Sequence, residues 1–386
     1  MNGRNSSDSN GTVEIKGSFV VILISTLVLL VGLTVSLFIV MNYESNSSGG
    51  RGDSGGNGGG SKSTSSQTDG PSVTAGLNTT PLFPTKESRT SYKISTSDNV
   101  TKLTDDSQIK SNNTILVEVG NNSLVSTVEK NADAKIYPAS MTKVMTLLVA
   151  CERVTDLDTL LTIESEHIDY VVKSNGGSSF FGVGDPDLVG EKISVKDALY
   201  LISYKSDTIA CLLIADYIAG GQDAFVQLMN QKAKDIGLTQ TNFVNCTGLY
   251  NENHYSTCRE IASIMAYAMD NELANSILFS IETYSFKSDK FYTAKDPTKK
   301  LTYYLTYPDW YGSDRFNQKT VLDNVTVVAG KTGYVEESGV SLVSVAKDKS
   351  DGTLYINVIV GQPKGSGLNE AISTNEVKFI YNTYAK

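Results

Sequence analysis

Two unlike patterns of apolar and polar positions divide the chain. Residues 18 to 41, from Ser18 through Met41, form 24 consecutive positions without a charge. As α-helix, at about 1.5 Å per residue, such a run spans the roughly 30 Å hydrocarbon layer of a bilayer. It predicts a transmembrane anchor after a short cytoplasmic tail, residues 1–17. A cleaved signal peptide has a shorter apolar region and a small-residue cleavage site, neither of which is evident here. Within residues 42–102, Gly, Ser and Asn dominate from Ser45 to Gly76, with Arg51-Gly52-Asp53 embedded in a glycine-rich tract, and a polar segment from Leu77 to Thr101 continues it. That composition buries too little apolar surface to fold and predicts a flexible linker. Apolar periodicity resumes at residue 103 and continues to 386, which predicts one folded domain.

Within that domain, Thr114–Val119 and Ser123–Val128 read as strands joined by a turn at Gly120-Asn121-Asn122. Pro138 then opens an apolar run through Cys151, the signature of a helix start. Asp223 to Ile236 places Phe225, Leu228, Met229 and Ala233 on one helical face, and Gly237 ends it. Val325–Tyr334 reads as strand, turn, strand. Gly339–Ala346 and, after the Asp351-Gly352 turn, Leu354–Val360 follow as strands, and Glu370–Tyr384 as a helix. Strands thus flank a helical middle, an α+β architecture of one antiparallel sheet carrying helices, with a helical lobe. A Tyr- and Lys-rich stretch from Ser280 to Val321 predicts a hairpin whose aromatic residues pack onto the sheet.

Candidate chemistry lies in three short motifs. In Ser140-Met141-Thr142-Lys143 the serine and lysine are three residues apart at the start of a helix, so both lie on one face and the amine reaches the hydroxyl. A serine becomes a nucleophile when a base takes its proton, and a lysine serves once burial or neighbouring cations lower its pKa. The same Ser-x-x-Lys spacing at Ser107–Lys110 and Ser344–Lys347 lacks the helix, the second lying in a predicted strand. The other motifs are Ser206-Asp207-Thr208 and Lys331-Thr332-Gly333. Only two histidines are present, His167 and His254, and Cys151, Cys211, Cys246 and Cys258 form no Cys-x-x-Cys pair, so neither zinc nor another cofactor is implied. A net charge of -9 and a pI near 4.9 argue against nucleic acid as a partner.

These motifs resemble those of the serine-type D-alanyl-D-alanine carboxypeptidases, the low-molecular-mass penicillin-binding proteins of peptidase family S11. Lys130 through Ser140, Ala215-Asp216-Tyr217-Ile218-Ala219-Gly220-Gly221, Asn242-Phe243-Val244-Asn245, Gly248-Leu249 with His254-Tyr255-Ser256-Thr257, and Gly330 through Tyr334 are similar to stretches of that family. The resemblance covers residues 103 to 386. It implies a β-lactamase/penicillin-binding-protein-like fold and an acyl-enzyme on Ser140, with Lys143 as base and Ser206 relaying protons. Lys331, Thr332 and Gly333 are then the grip on a terminal carboxylate, and the backbone N–H groups of Ser140 and Tyr334 the oxyanion hole. It also implies that Lys331 keeps Lys143 partly deprotonated by like-charge repulsion.

The implied substrate is the peptidoglycan stem peptide, with β-lactams as inhibitors and the catalytic domain outside a membrane that residues 18–41 cross. Thr208, at a substrate-binding position, departs from the family, which usually carries Asn there, and hints at one alternative, a catalytically weak penicillin-binding sensor; the other is a class A-like β-lactamase, whose Ser-Asp-Asn the stretch Ser206-Asp207-Thr208 half resembles. An outer location implies disulfides. Cys246 and Cys258 bracket a family-like loop and are expected to pair, whereas Cys151 and Cys211 are expected to be buried thiols. His254 is expected to be structural.

Overall fold

The computed structural model of the protein describes residues 89–104, 108–174, 188–280, 284–293, 296–305, 320–362 and 371–385. The tail 1–17, the apolar run 18–41 and the linker up to residue 88 lie outside the described residues. Among the described residues no single helix is long and apolar enough to cross a membrane.

Six strands form the central sheet: β1 (Ser95–Lys102), β2 (Asn113–Val119), β3 (Leu124–Lys130), β8 (Val325–Val335), β9 (Gly339–Asp348) and β10 (Leu354–Gln362). Their order across the sheet is β1-β3-β2-β10-β9-β8. The expected β2–β3 hairpin is present, with Gly120 N–H bonded to Ser123 O at 2.9 Å. The expectation of a purely antiparallel sheet is corrected, because β1 runs parallel to β3. The domain also begins earlier than residue 103, since β1 falls in the stretch assigned to the linker. Most of β1 is exposed and its Ser, Thr and Asn residues carry no apolar alternation, as befits an edge strand.

Both faces of the sheet are covered, which explains why its strands read as nearly continuous apolar runs. Alternation divides them between two cores. Leu116, Leu342, Tyr355 and Ile359 meet Val377, Ile380 and Tyr381 of the C-terminal helix, while Ile115, Val117, Val343, Val345, Ile356 and Val358 face the helical lobe. That lobe contains α1 (Thr142–Cys151), α2 (Ser165–Lys173), α3 (Val195–Lys205), α4 (Thr208–Ala219), α5 (Gln222–Asp235), α6 (Cys258–Asp270) and α7 (Glu272–Leu278). The short strands β4 (Leu160–Thr162) and β5 (Lys192–Ser194) pair beside it, and α8 (Ala371–Tyr384) closes the fold. Every residue of α1 from Thr142 to Ala150 is buried, so this helix is the hub on which the lobe packs.

The Tyr-rich stretch does form a hairpin, β6 (Tyr284–Thr293) with β7 (Asp296–Leu305). Its docking at Tyr284 differs from the expectation. Tyr284 stacks on Tyr200 of α3 at 3.7 Å, and its hydroxyl donates to Asp197 Oδ1 at 2.6 Å. Tyr284 is therefore anchored on a helix carrying a hydrogen-bond acceptor, while the side chains of residues 285–305 lie outside the described residues. The remainder of the stretch, 306–319, lies outside the described residues.

Candidate active site

Ser140 lies in a 3-10 turn, Ala139–Met141, that leads directly into α1. Ala139 has φ 49°, in the left-handed region where a side chain costs about 1 kcal/mol or more. Two glycines hold it there. A Cβ on Gly248, itself at φ +81°, would stand 2.0 Å from the Ala139 carbonyl oxygen, and one on Gly333 would stand 3.1 Å from Ala139 Cβ and from Pro138 O. The turn bearing Ser140 is thus clamped between the 245–249 loop and strand β8, with backbone in van der Waals contact on both sides.

One turn along α1, Lys143 is 3% exposed. Its ammonium donates to Ser140 Oγ at 3.2 Å and to Thr247 O at 2.5 Å. The first contact is the one the three-residue spacing predicts. The second comes from a backbone carbonyl 104 residues away, which no side-chain motif can announce.

Ser206 terminates α3 in a left-handed conformation, φ 54° and ψ 33°. Asp207 then caps α4 by accepting from Ala210 N at 2.7 Å. The junction of two buried helices therefore fixes Ser206, whose Oγ receives a hydrogen bond from Lys331 Nζ at 3.0 Å. Lys331 also donates to Thr332 O at 3.0 Å. This contact joins the second motif to the lysine of the third. Thr208, the first residue of α4, is 1% exposed.

Lys331, Thr332, Gly333 and Tyr334 lie inside one continuous strand, β8, with a bulge between Val327 and Ala329. This corrects the expected strand–turn–strand reading. Gly333 is required for close approach to the Ser140 turn, and its carbonyl accepts from Ser341 Oγ at 3.0 Å.

Two lysines share the cleft. Burial first, and then the charge of Lys143, push the pKa of Lys331 well below the usual lysine value, against a weaker opposing effect of Cys211. Behind α1, His254 is 2% exposed. Its Nδ1 accepts from Val244 N–H at 3.2 Å, so its Nε2–H donates to Thr142 Oγ1 at 2.8 Å. Burial and then the Lys143 charge lower its pKa from 6.5 to about 4, so the ring is neutral at physiological pH. His254 joins the loop to α1, the structural role expected of it.

All four cysteines are free, so the expected Cys246–Cys258 bridge is not formed. Cys258 starts α6, Cys246 lies in the 245–249 loop with its Sγ 3.5 Å from Gln222 Oε1, and both are fully buried. Cys211 is buried as expected, whereas Cys151 at the end of α1 is half-buried; desolvation raises all four thiol pKa values, that of Cys211 to about 12, so none is a ready nucleophile. The Ser344–Lys347 spacing falls in β9, where residues three apart point to opposite faces. Ser344 Oγ is instead paired with Tyr381 of α8 at 3.0 Å. Ser107 lies outside the described residues. Among the described residues no cluster of three or more His, Cys, Asp or Glu side chains is placed to hold a metal ion.

This fold and this pairing of serines with lysines define a class, and comparison with known proteins identifies it. The sequence profile of the D-alanyl-D-alanine carboxypeptidases, peptidase S11, matches residues 99–364. The chain belongs to that family. It is 40% identical over 142 residues to the D-alanyl-D-alanine carboxypeptidase DacF of Bacillus subtilis (strain 168), covering 36% of this chain and 33% of that protein. It is 27% identical over 259 residues to the D-alanyl-D-alanine carboxypeptidase DacA of Escherichia coli (strain K12), covering 62% of this chain and 54% of the relative. The chain thus matches one third to about one half of these relatives' lengths. Among solved structures, the Streptomyces K15 DD-transpeptidase superposes with a TM-score of 0.57 at 23% identity, over 73% of this chain and 100% of that one. That likeness establishes the penicillin-binding-protein fold.

Proposed function

We propose that the protein is a membrane-tethered serine-type D-Ala-D-Ala carboxypeptidase that removes the terminal D-alanine from peptidoglycan stem peptides. The observation that carries this reading is the contact of Lys143 Nζ with Ser140 Oγ at 3.2 Å, completed across the cleft by Lys331 on Ser206 at 3.0 Å, in a chain of the S11 family. The terminal carboxylate docks on Lys331 and Thr332, and its negative charge restores the ammonium form that burial of Lys331 disfavours. Ser140 Oγ attacks the carbonyl of the penultimate D-alanine while Lys143 takes its proton. The resulting oxyanion rests on the N–H groups of Ser140 and Tyr334.

Collapse of this intermediate breaks the peptide bond. The proton reaches the leaving amine through Ser206, and D-alanine departs. Water then attacks the ester, its proton passing to Lys143, and frees Ser140 and the shortened peptide. A β-lactam ring places its carbonyl in the same position and acylates the same serine. Residues 18–41 supply the anchor, with the catalytic domain on the outer side of the membrane.

The test is D-alanine release from a pentapeptide ending in D-Ala-D-Ala, with penicillin labelling measured in parallel, for the detergent-solubilised full chain and its Ser140→Ala variant. Release and labelling that both depend on Ser140 are expected. Labelling without release marks a sensor, and rapid penicillin hydrolysis marks a β-lactamase.

A further inference from the structure

We infer that Asn245 is a positioning residue for acylation, its side chain building the turn that sets the nucleophile and its base relative to each other. Asn245 is 7% exposed. Its Oδ1 accepts three hydrogen bonds, from Thr247 N at 3.1 Å, Thr247 Oγ1 at 3.1 Å and Gly248 N at 2.7 Å. Its Nδ2 donates to Leu249 O at 3.0 Å. One side chain thereby folds residues 245–249 into an Asx-type turn, an alternative to regular structure that Asn supports well.

Both outputs of that turn reach the chemistry. The Thr247 carbonyl is directed to Lys143 Nζ at 2.5 Å, leaving the same nitrogen to Ser140 Oγ at 3.2 Å. One residue further, Gly248 lies so close to the Ala139–Ser140 peptide that a Cβ would stand 2.0 Å from Ala139 O and 3.0 Å from Ser140 N. The turn therefore holds the base by a carbonyl and the nucleophile by backbone contact, and Asn245 fixes the offset between the two. The loop has other anchors, Val244 N–H on His254 and Asn230 on both backbone groups of Phe243. These hold the chain before Asn245, and within the turn Thr146 Oγ1 donates to Cys246 O at 2.7 Å while the Tyr170 hydroxyl lies 3.4 Å from Thr247 Oγ1, so losing the Asn245 side chain loosens the Thr247–Gly248 backbone without releasing the loop.

The inference rests on Ser140 being the acylated serine. The experiment follows acylation by a reporter β-lactam and D-alanine release, as a function of pH, in the full-length wild type, Asn245→Ala and Asn245→Asp, with folding checked by circular dichroism. For Asn245→Ala we expect acylation about 10- to 100-fold slower at saturating substrate with KM changed less than about twofold, since misplacement of about 1 Å is worth that much. Asn245→Asp keeps the acceptor for all three donors, gives up the Nδ2–H donor to Leu249 O, and places a negative charge two residues before the carbonyl that holds Lys143. It should restore most of the rate at alkaline pH, with the acidic limb of the rate–pH profile moved up by roughly one unit. A purely structural role lowers the active fraction without moving that limb. Folded Asn245→Ala acylating at the wild-type rate, or an Asn245→Asp profile superimposing on that of wild type, overturns the inference. If Asn245→Ala does not fold, the Asn245→Asp profile decides alone. A wild type that is never acylated overturns the function proposed above, and this inference with it.

Discussion

At Ser140 a hydroxyl of ordinary basicity meets a buried amine, and the chemistry available there depends on how few partners that amine has. Lys143 divides its hydrogen bonds between Ser140 Oγ and the Thr247 carbonyl, and neither acceptor is charged. Lys143→Ala removes the proposed general base and should slow acylation about 10²- to 10⁴-fold while the protein stays folded; burst kinetics with a chromogenic β-lactam measures it. His254 supplies a pH test. The unfolded chain binds the imidazole proton near pH 6.5 and the folded chain only near pH 4. Stability from the neutral ring is therefore complete above pH 6.5 and is lost as the pH falls towards 4, by about 3 kcal/mol at most. Urea unfolding across that range should show a steeper acid loss for wild type than for His254→Gln; parallel slopes would contradict the assignment.

The sequence discloses Ser140 and Lys143 because an i, i+3 pair in a helix has one geometry. It does not disclose the Thr247 carbonyl, which any residue type could supply. Asn245 stands out in the sequence only as part of a family-like stretch, and its hydrogen bonds explain why the stretch has that composition.

The elements carry the site through their ends. α3 stops at Ser206 and α4 starts at Thr208, so the second motif is a two-helix corner whose sharpness depends on the left-handed Ser206 and the Asp207 cap. Asp207→Ala should cost about 1 kcal/mol of stability and, by loosening the corner, slow D-alanine release by more than that loss explains. Thermal midpoints and kcat measured together check both. The hairpin β2–β3, the helices α1, α5 and α8, and the strands β9 and β10 are legible from periodicity and turn residues, because each presents a clean apolar repeat. Lys331-Thr332-Gly333 misleads, since glycines at 330 and 333 look like a turn. The structure uses the second of them to bring β8 against the Ser140 turn.

For the whole molecule, the boundary of the folded unit is the feature least visible in sequence. Ahead of β1, the Arg89 guanidinium pairs with Asp270 at 3.0 Å, Tyr92 donates to the same carboxylate at 3.0 Å, and Ile94 is buried. A fragment beginning at residue 89 should therefore fold cooperatively, whereas one beginning at 103 loses an edge strand and these contacts and should melt several degrees lower or aggregate. Calorimetry of the two fragments decides.

The proposed function turns on one bond, an ester on Ser140. Its most direct test is to incubate the full chain with penicillin, quench in acid, and locate the adduct by peptide mass mapping. A single adduct is expected on the peptide containing Ser140, absent from Ser140→Ala and slow to form in Lys143→Ala. An adduct on any other residue, or equal labelling of Ser140→Ala, would contradict it.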